Sequence, residues 1–119
     1  PVVHQADDFE RGLAEAARHP EIPVLHKIFQ ARSLRLDGQL SPEGAASWMS
    51  GLLVGTDVAG AMKLFERRDP GEPVIVVGAP ALVDAYATAL GKLGVAATAV
   101  DGENAAFAGL AFVYRNRLT

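Results

Sequence analysis

The residues best placed for chemistry are Val77-Gly78-Ala79-Pro80, where an apolar run ends and a helical pattern begins. A glycine at the carboxyl end of a parallel strand lets backbone come close to a ligand, and the helix that follows points free N–H groups at it. The same glycine also serves a plain tight turn, and the segment is neither a full Gly-rich fingerprint nor a Walker sequence. Arg32 stands in a mixed helical segment, where it could meet an anionic substrate or remain an ordinary exposed arginine. Asp101 closes a second apolar run, a common place for a functional acid, although Asp101-Gly102 also reads as a turn. His4, His19 and His26 lack the spacing of metal ligands. Ser50 follows no strand, so Met49-Ser50-Gly51 is not a nucleophile elbow. Arg67-Arg68 reads as a solvated helix end. The chain has no cysteine, which excludes disulfides, thiol catalysis and Cys-ligated zinc. These residues make a ligand-facing half-site without a complete catalytic apparatus, and no metal ligands are assigned.

The elements that must position them follow from periodicity. Phe9, Leu13, Ala16 and Ala17 predict a helix over about 7–18, with Asp7 and Asp8 at its favourable end. His19-Pro20 breaks it, because the residue before proline is forced out of the helical region. A second helix is expected over about 24–36, with Leu25, Ile28, Phe29 and Leu36 along one stripe and a turn at Asp37-Gly38. Ser41-Pro42-Glu43 is a helix start: hydroxyl cap, proline at the first position, carboxylate in the first turn. From there Trp48, Met49, Leu52, Leu53, Val58, Ala59, Met62 and Phe65 predict a long helix over about 42–67. Gly51, Gly55 and Gly60 inside it each cost about 1 kcal/mol relative to alanine. They therefore signal close backbone packing, a kink, or a ligand approaching the chain.

After a turn at Asp69-Pro70-Gly71 the character changes. The β-branched run over 73–77 reads as a strand buried on both faces of a parallel sheet. Ala81 to Leu93 follows as a helix, with Leu82, Val83, Tyr86, Ala89, Leu90 and Leu93 on one side and Gly94 as its cap. A second strand is expected over 95–100 and a last helix over about 103–117. The unit over 73–117 is thus a right-handed β-α-β-α crossover. Two strands this apolar need further strands beside them, from another chain or from sequence outside this one. A homo-oligomer would be one way to complete the sheet.

Composition bounds the class. At 119 residues the chain is one domain or part of one. Half of it is hydrophobic and 21% charged, enough apolar surface for a core. Eleven basic against fourteen acidic side chains leave no footprint for nucleic acid and no basic run for an anionic membrane. The longest uncharged stretch, Gly44 to Thr56, is 13 residues, short of the roughly 20 that span a bilayer. No basic-then-apolar leader follows Pro1, so the expectation is a cytoplasmic α/β protein. A start at Pro1 also suits a piece of a longer one.

Several stretches together resemble a known family: Leu25-His26-Lys27-Ile28-Phe29-Gln30-Ala31-Arg32-Ser33-Leu34, then Trp48-Met49-Ser50-Gly51-Leu52-Leu53-Val54-Gly55-Thr56-Asp57-Val58, then 73–90, then Asn104 to Leu110. In this order and spacing they are similar to the carboxyl-terminal part of 2-dehydro-3-deoxygalactonokinases, sugar-acid kinases of the actin–hexokinase–heat-shock-70 superfamily. The resemblance runs from about Asp8 to Leu110. It implies ribonuclease-H-like domains with ATP in the cleft between them, and transfer of the ATP γ-phosphate with Mg2+ to the 6-hydroxyl of 2-dehydro-3-deoxygalactonate. It puts Gly78 and Ala79 under adenosine, and makes Arg32 the candidate for the substrate carboxylate or for a contact that holds the helices. The small residues Gly51, Gly55 and Gly109 would let helices approach as two lobes close. The sequence departs from the superfamily in having one glycine after the adenosine strand, and from its relatives in carrying Asp57 where they tend to carry glutamate. The phosphate motifs and catalytic aspartate would lie upstream, so this piece alone is expected to be inactive, with the missing amino-terminal part as its partner. The rival reading is a small non-catalytic α/β binding or oligomerisation module.

Overall fold

The computed structural model describes residues 5–66, 69 and 71–117. Helices dominate it, with one small parallel sheet, and the chain divides into two compact units, residues 1–67 and 68–119. His4, Arg67, Arg68 and Pro70, singled out above, lie outside the described residues.

The first unit is built from α1 (Ala6–Ala17), α2 (Val24–Leu36) and α3 (Pro42–Leu64). Its axis is the α1–α3 pair, and glycine sets how close the two helices come. A Cβ on Gly12 would land on the carbonyl oxygen of Trp48, and one on Gly51 on the carbonyl oxygen of Phe9. One on Gly55 would stand 2.8 Å from the Ala16 Cβ. Of the readings open for the α3 glycines, close helix packing holds for Gly51, against the α1 backbone, and for Gly55, against the Ala16 and Leu13 side chains, while Gly60 faces open space. Ala16, Ala31, Leu40, Ala45, Trp48 and Leu52 form the core, with Val24, Ile28, Leu34 and Met49 packed against it.

The start of α3 is as its sequence implies: the Ser41 hydroxyl accepts from the Gly44 N–H at 3.0 Å, with Pro42 in the first turn. The helix ends at Leu64 rather than running to 67, the last turn being closed by Phe65 N–H on Ala61 O at 2.9 Å. The first helix ends at Ala17, before His19-Pro20, and His19 takes a left-handed φ of 51°, uncommon for a residue other than glycine. α2 closes on a Schellman turn. Gly38 has φ 73° and its N–H bonds Arg35 O, while the Gln39 N–H bonds Leu34 O.

The stripe expected along α2 is a correction. Leu25, Phe29 and Leu36 are 71%, 71% and 76% exposed, and the buried residues of the helix are Lys27 and Ala31. The Lys27 ammonium donates to Glu15 O at 2.9 Å and to Arg18 O at 2.6 Å. These carbonyls belong to the last turn of α1 and its cap, groups left without intrahelical partners. The lysine therefore faces inward, and with it the adjoining apolar positions rotate outward.

The second unit contains β1 (Val74–Gly78), α4 (Pro80–Lys92), β2 (Ala97–Asp101) and α5 (Gly102–Arg117). The strands pair in parallel, from Val74 opposite Ala97 to Gly78 opposite Asp101. Both start later than the sequence indicates, by one residue in β1, where Pro73 has no N–H to give, and by two in β2. Val74 N–H bonds Ala96 O at 2.9 Å. Gly94, with φ 73°, ends α4 as expected, its N–H on Gly91 O and that of Val95 on Leu90 O. Burial on α4 falls on Val83, Ala89 and Leu90, whereas Leu82 and Leu93 of the expected stripe are exposed. The sheet is not buried on both faces within this unit: Ile75 is 65% exposed and Val77 lies beside it on the same face. No residue of α5 is buried. Among the described residues the sheet has two strands, and no helix is long and apolar enough to cross a membrane.

Candidate functional site

The carboxyl edge of the sheet is where β1 hands over to α4 and β2 to α5. Both helix starts follow at once, α4 with Ala79 as its cap residue and α5 directly from Asp101. The two starts differ in how their leading amides are satisfied. Asp101 Oδ1 accepts from the Glu103 N–H at 2.8 Å and the Asn104 N–H at 3.4 Å, so its carboxylate is engaged in capping α5. At α4 the cap residue Ala79 has no side-chain acceptor to offer, and Pro80 carries no N–H of its own. The amides that open α4, immediately after Gly78 and Ala79, therefore lack the cap that Asp101 gives to α5.

The two glycines at this edge have unequal duties. A Cβ on Gly102 would stand 3.1 Å from the Gly78 Cα and 3.4 Å from its N and C atoms, so a side chain at 102 would need the adjoining strand backbone to give by a few tenths of an ångström. A Cβ on Gly78 would meet only Val83 Cγ2 at 3.7 Å, an ordinary contact. Packing within this unit does not demand glycine at 78, and its missing side chain leaves the backbone open to approach. Gly78 is half-buried and Ala79 exposed.

Arg32 belongs to the other unit. It is exposed on α2 and lines a groove of about 660 Å³ with Arg35, over an apolar floor that includes Ile28, Phe29, Leu36 and Met49. Neither arginine makes an ion pair among the described residues. Arg35 was legible as a companion three residues on, one helical turn away on the same side. Lys27 carried no such signal.

The remaining candidates serve structure or stand at the surface. His19 pairs with Glu21 at 3.2 Å, and both are exposed. The backbone N–H of Glu21 itself, and then the His19 ring, hold that carboxyl below the usual carboxylate range. His26 is exposed on α2, Ser50 and Asp57 are exposed on α3, and Ser50 follows helix rather than strand. No three His, Asp or Glu side chains among the described residues come together as metal ligands.

The elements define a helix-rich α/β chain with a small parallel sheet, and comparison with known proteins puts that chain in a kinase family. It belongs to the 2-keto-3-deoxy-galactonokinase family, whose pattern it matches over residues 2–113. It is 30% identical over 110 residues to the 2-dehydro-3-deoxygalactonokinase of Escherichia coli (strain K12). That alignment covers 92% of this chain and 36% of the relative, so the chain spans about a third of the length of the protein it matches.

Proposed function

We propose that this chain is the carboxyl-terminal part of an ATP-dependent sugar-acid kinase of the cytoplasm, acting on the 6-hydroxyl of 2-dehydro-3-deoxy-D-galactonate. Its second unit is read as part of a ribonuclease-H-like domain whose other strands are supplied by upstream sequence. The reading rests above all on the uncapped start of α4 beside Gly78, a glycine that packing does not require. Family membership and the relative's name support a kinase, and the bare face of Ile75 and Val77 supports a larger sheet.

In this reading Gly78 and Ala79 lie under the adenosine, where the open backbone and the first amides of α4 hold and orient it. ATP supplies the transferable phosphoryl group. Arg32 offers its guanidinium to the substrate carboxylate, a pairing that arginine geometry favours. The Mg2+ ion would be held by the nucleotide and by residues outside this chain, since phosphoryl transfer needs metal, in-line geometry and a positioned hydroxyl. The piece alone is accordingly inactive.

The test is a coupled assay of ADP release by the full-length protein, with and without the sugar acid. Release that depends on 2-dehydro-3-deoxygalactonate supports the reading, and release with a different sugar acid moves the substrate within the superfamily. No release with any sugar acid leaves a non-catalytic binding module.

A further inference from the structure

Around the axis of α5, at about 100° per residue, Glu103, Phe107, Val113, Tyr114 and Arg117 all stand within about 60° of Leu110. They make one stripe, acidic at the start of the helix, apolar over its middle and basic at its end. Its four large apolar residues are between 61% and 67% exposed. Scattered exposed apolar residues are ordinary, but a contiguous stripe marks an interaction surface. Past its first residue, every position of α5 is exposed except the half-buried Ala105, which stands about 140° round the helix from Leu110. That is the side the helix turns to its own unit. Phe112 lies on the Ala105 side, where strands added in the plane of the sheet would reach it. The stripe points elsewhere, so a wider sheet does not account for it.

We infer that the protein is a twofold dimer in which two copies of α5 pack antiparallel along this stripe, with the axis passing through Leu110. The stripe is its own complement. Reversed about Leu110, position 107 meets 113, 106 meets 114 and 103 meets 117. Phe107 of each copy then packs on Val113 of the other, Tyr114 lies over Ala106, and the Glu103 carboxylate faces the Arg117 guanidinium at both ends. Glu103 and Arg117 are exposed, and neither makes an ion pair among the described residues. A parallel pair would set Glu103 beside Glu103 and Arg117 beside Arg117, and would align the two helix dipoles. The charges therefore select the antiparallel arrangement. An unrelated partner would have to carry the reverse of this pattern, which a second copy supplies by construction. Apolar steps of three and four along the 16 residues of α5 suit a short helix pair. At about 24 Å the contact is a small one, so the dimer should dissociate on dilution. It goes beyond the kinase reading and does not depend on it.

The test is sedimentation velocity on the full-length protein from about 1 to 100 μM, where a reversible monomer–dimer exchange is expected. Leu110→Arg sets two guanidiniums across the axis and should leave a monomer with the circular dichroism of the parent, since position 110 is exposed. Glu103→Lys and Arg117→Glu each place like charges at both ends of the pair. Each should raise the dissociation constant roughly tenfold, and the two exchanges together should return it to within about threefold of the parent. A protein that is monomeric throughout the range, or a dimer that Leu110→Arg leaves intact, overturns the inference. So do charge exchanges that weaken nothing, or that the double exchange fails to rescue. If Leu110→Arg alters the dichroism, the charge exchanges alone decide. ADP release by the same preparations separates the two readings. A monomeric protein that releases ADP removes only the dimer, and a dimer that releases none removes only the kinase.

Discussion

The Lys27 ammonium nitrogen lies 2.6 Å from the carbonyl oxygen of Arg18, on a side chain only 2% exposed. With Glu15 O as its second acceptor, it ties the end of α1 to the inner face of α2. Lys27→Met keeps the aliphatic stem and removes the donor, leaving two carbonyls of the α1 end without it. The substitution should destabilise the first unit by about 1–3 kcal/mol. Urea unfolding followed by the fluorescence of Trp48, the single tryptophan and a core residue of that unit, reads the change.

Gly12→Ala and Gly60→Ala should move stability in opposite directions. Alanine at 12 drives a methyl into the Trp48 carbonyl, a backbone group that cannot rotate away. Overpacking of this kind costs about 1–3 kcal/mol, which exceeds the gain in helix propensity of about 1 kcal/mol. At 60 nothing stands within 4 Å, so the propensity gain is uncompensated and the protein should be stabilised by about 0.5–1 kcal/mol. The same unfolding experiment compares the two.

Asp101 tests capping against acid chemistry. Its carboxylate accepts from two amides of α5, a role that asparagine can also fill. Asp101→Ala should lower the unfolding free energy by about 0.5–2 kcal/mol, and Asp101→Asn should keep most of it. If Asp101→Asn leaves stability intact but removes ADP release by the full-length protein, the carboxylate has a chemical role beyond its cap.

For Arg32 the readout is the split between KM and kcat in the full-length protein. Loss of a charge-assisted contact to the substrate carboxylate is worth about 1.5–3 kcal/mol, or roughly 10- to 100-fold. Arg32→Ala should therefore raise KM for the sugar acid by that factor while KM for ATP changes little. An unchanged KM for the sugar acid would reassign Arg32 to holding the surface of α2.

Local signals are legible where they are strong. Ser41-Pro42 announced α3, Asp37-Gly38 and Gly94 ended their helices, and the β-branched run from Val74 defined β1 within a residue. The failures share a cause. In α2 the apolar residues can be drawn on either of two faces, and the decision is taken by Lys27, whose partners are carbonyls of another helix. Nothing local announces that a lysine will turn inward. Gly12 gives no local sign for a similar reason, because a helical glycine shows its purpose only when the opposing backbone is in view. At the strand edge, Gly78 stands out in the sequence by its position after the strand, while the tighter approach is at Gly102 and becomes visible only in the pairing of β1 with β2.

The interlocked backbones of α1 and α3 have a consequence for how this sequence can vary. Gly12, Gly51 and Gly55 work only while they face the other helix. Adding or removing one residue between Trp48 and Gly51 would turn everything beyond it by about 100° around the helix axis. Side chains would then replace hydrogen atoms at the point of contact. Length polymorphism should thus be absent from these two helices and confined to the joints between elements, and that expectation is open to inspection in any set of natural variants.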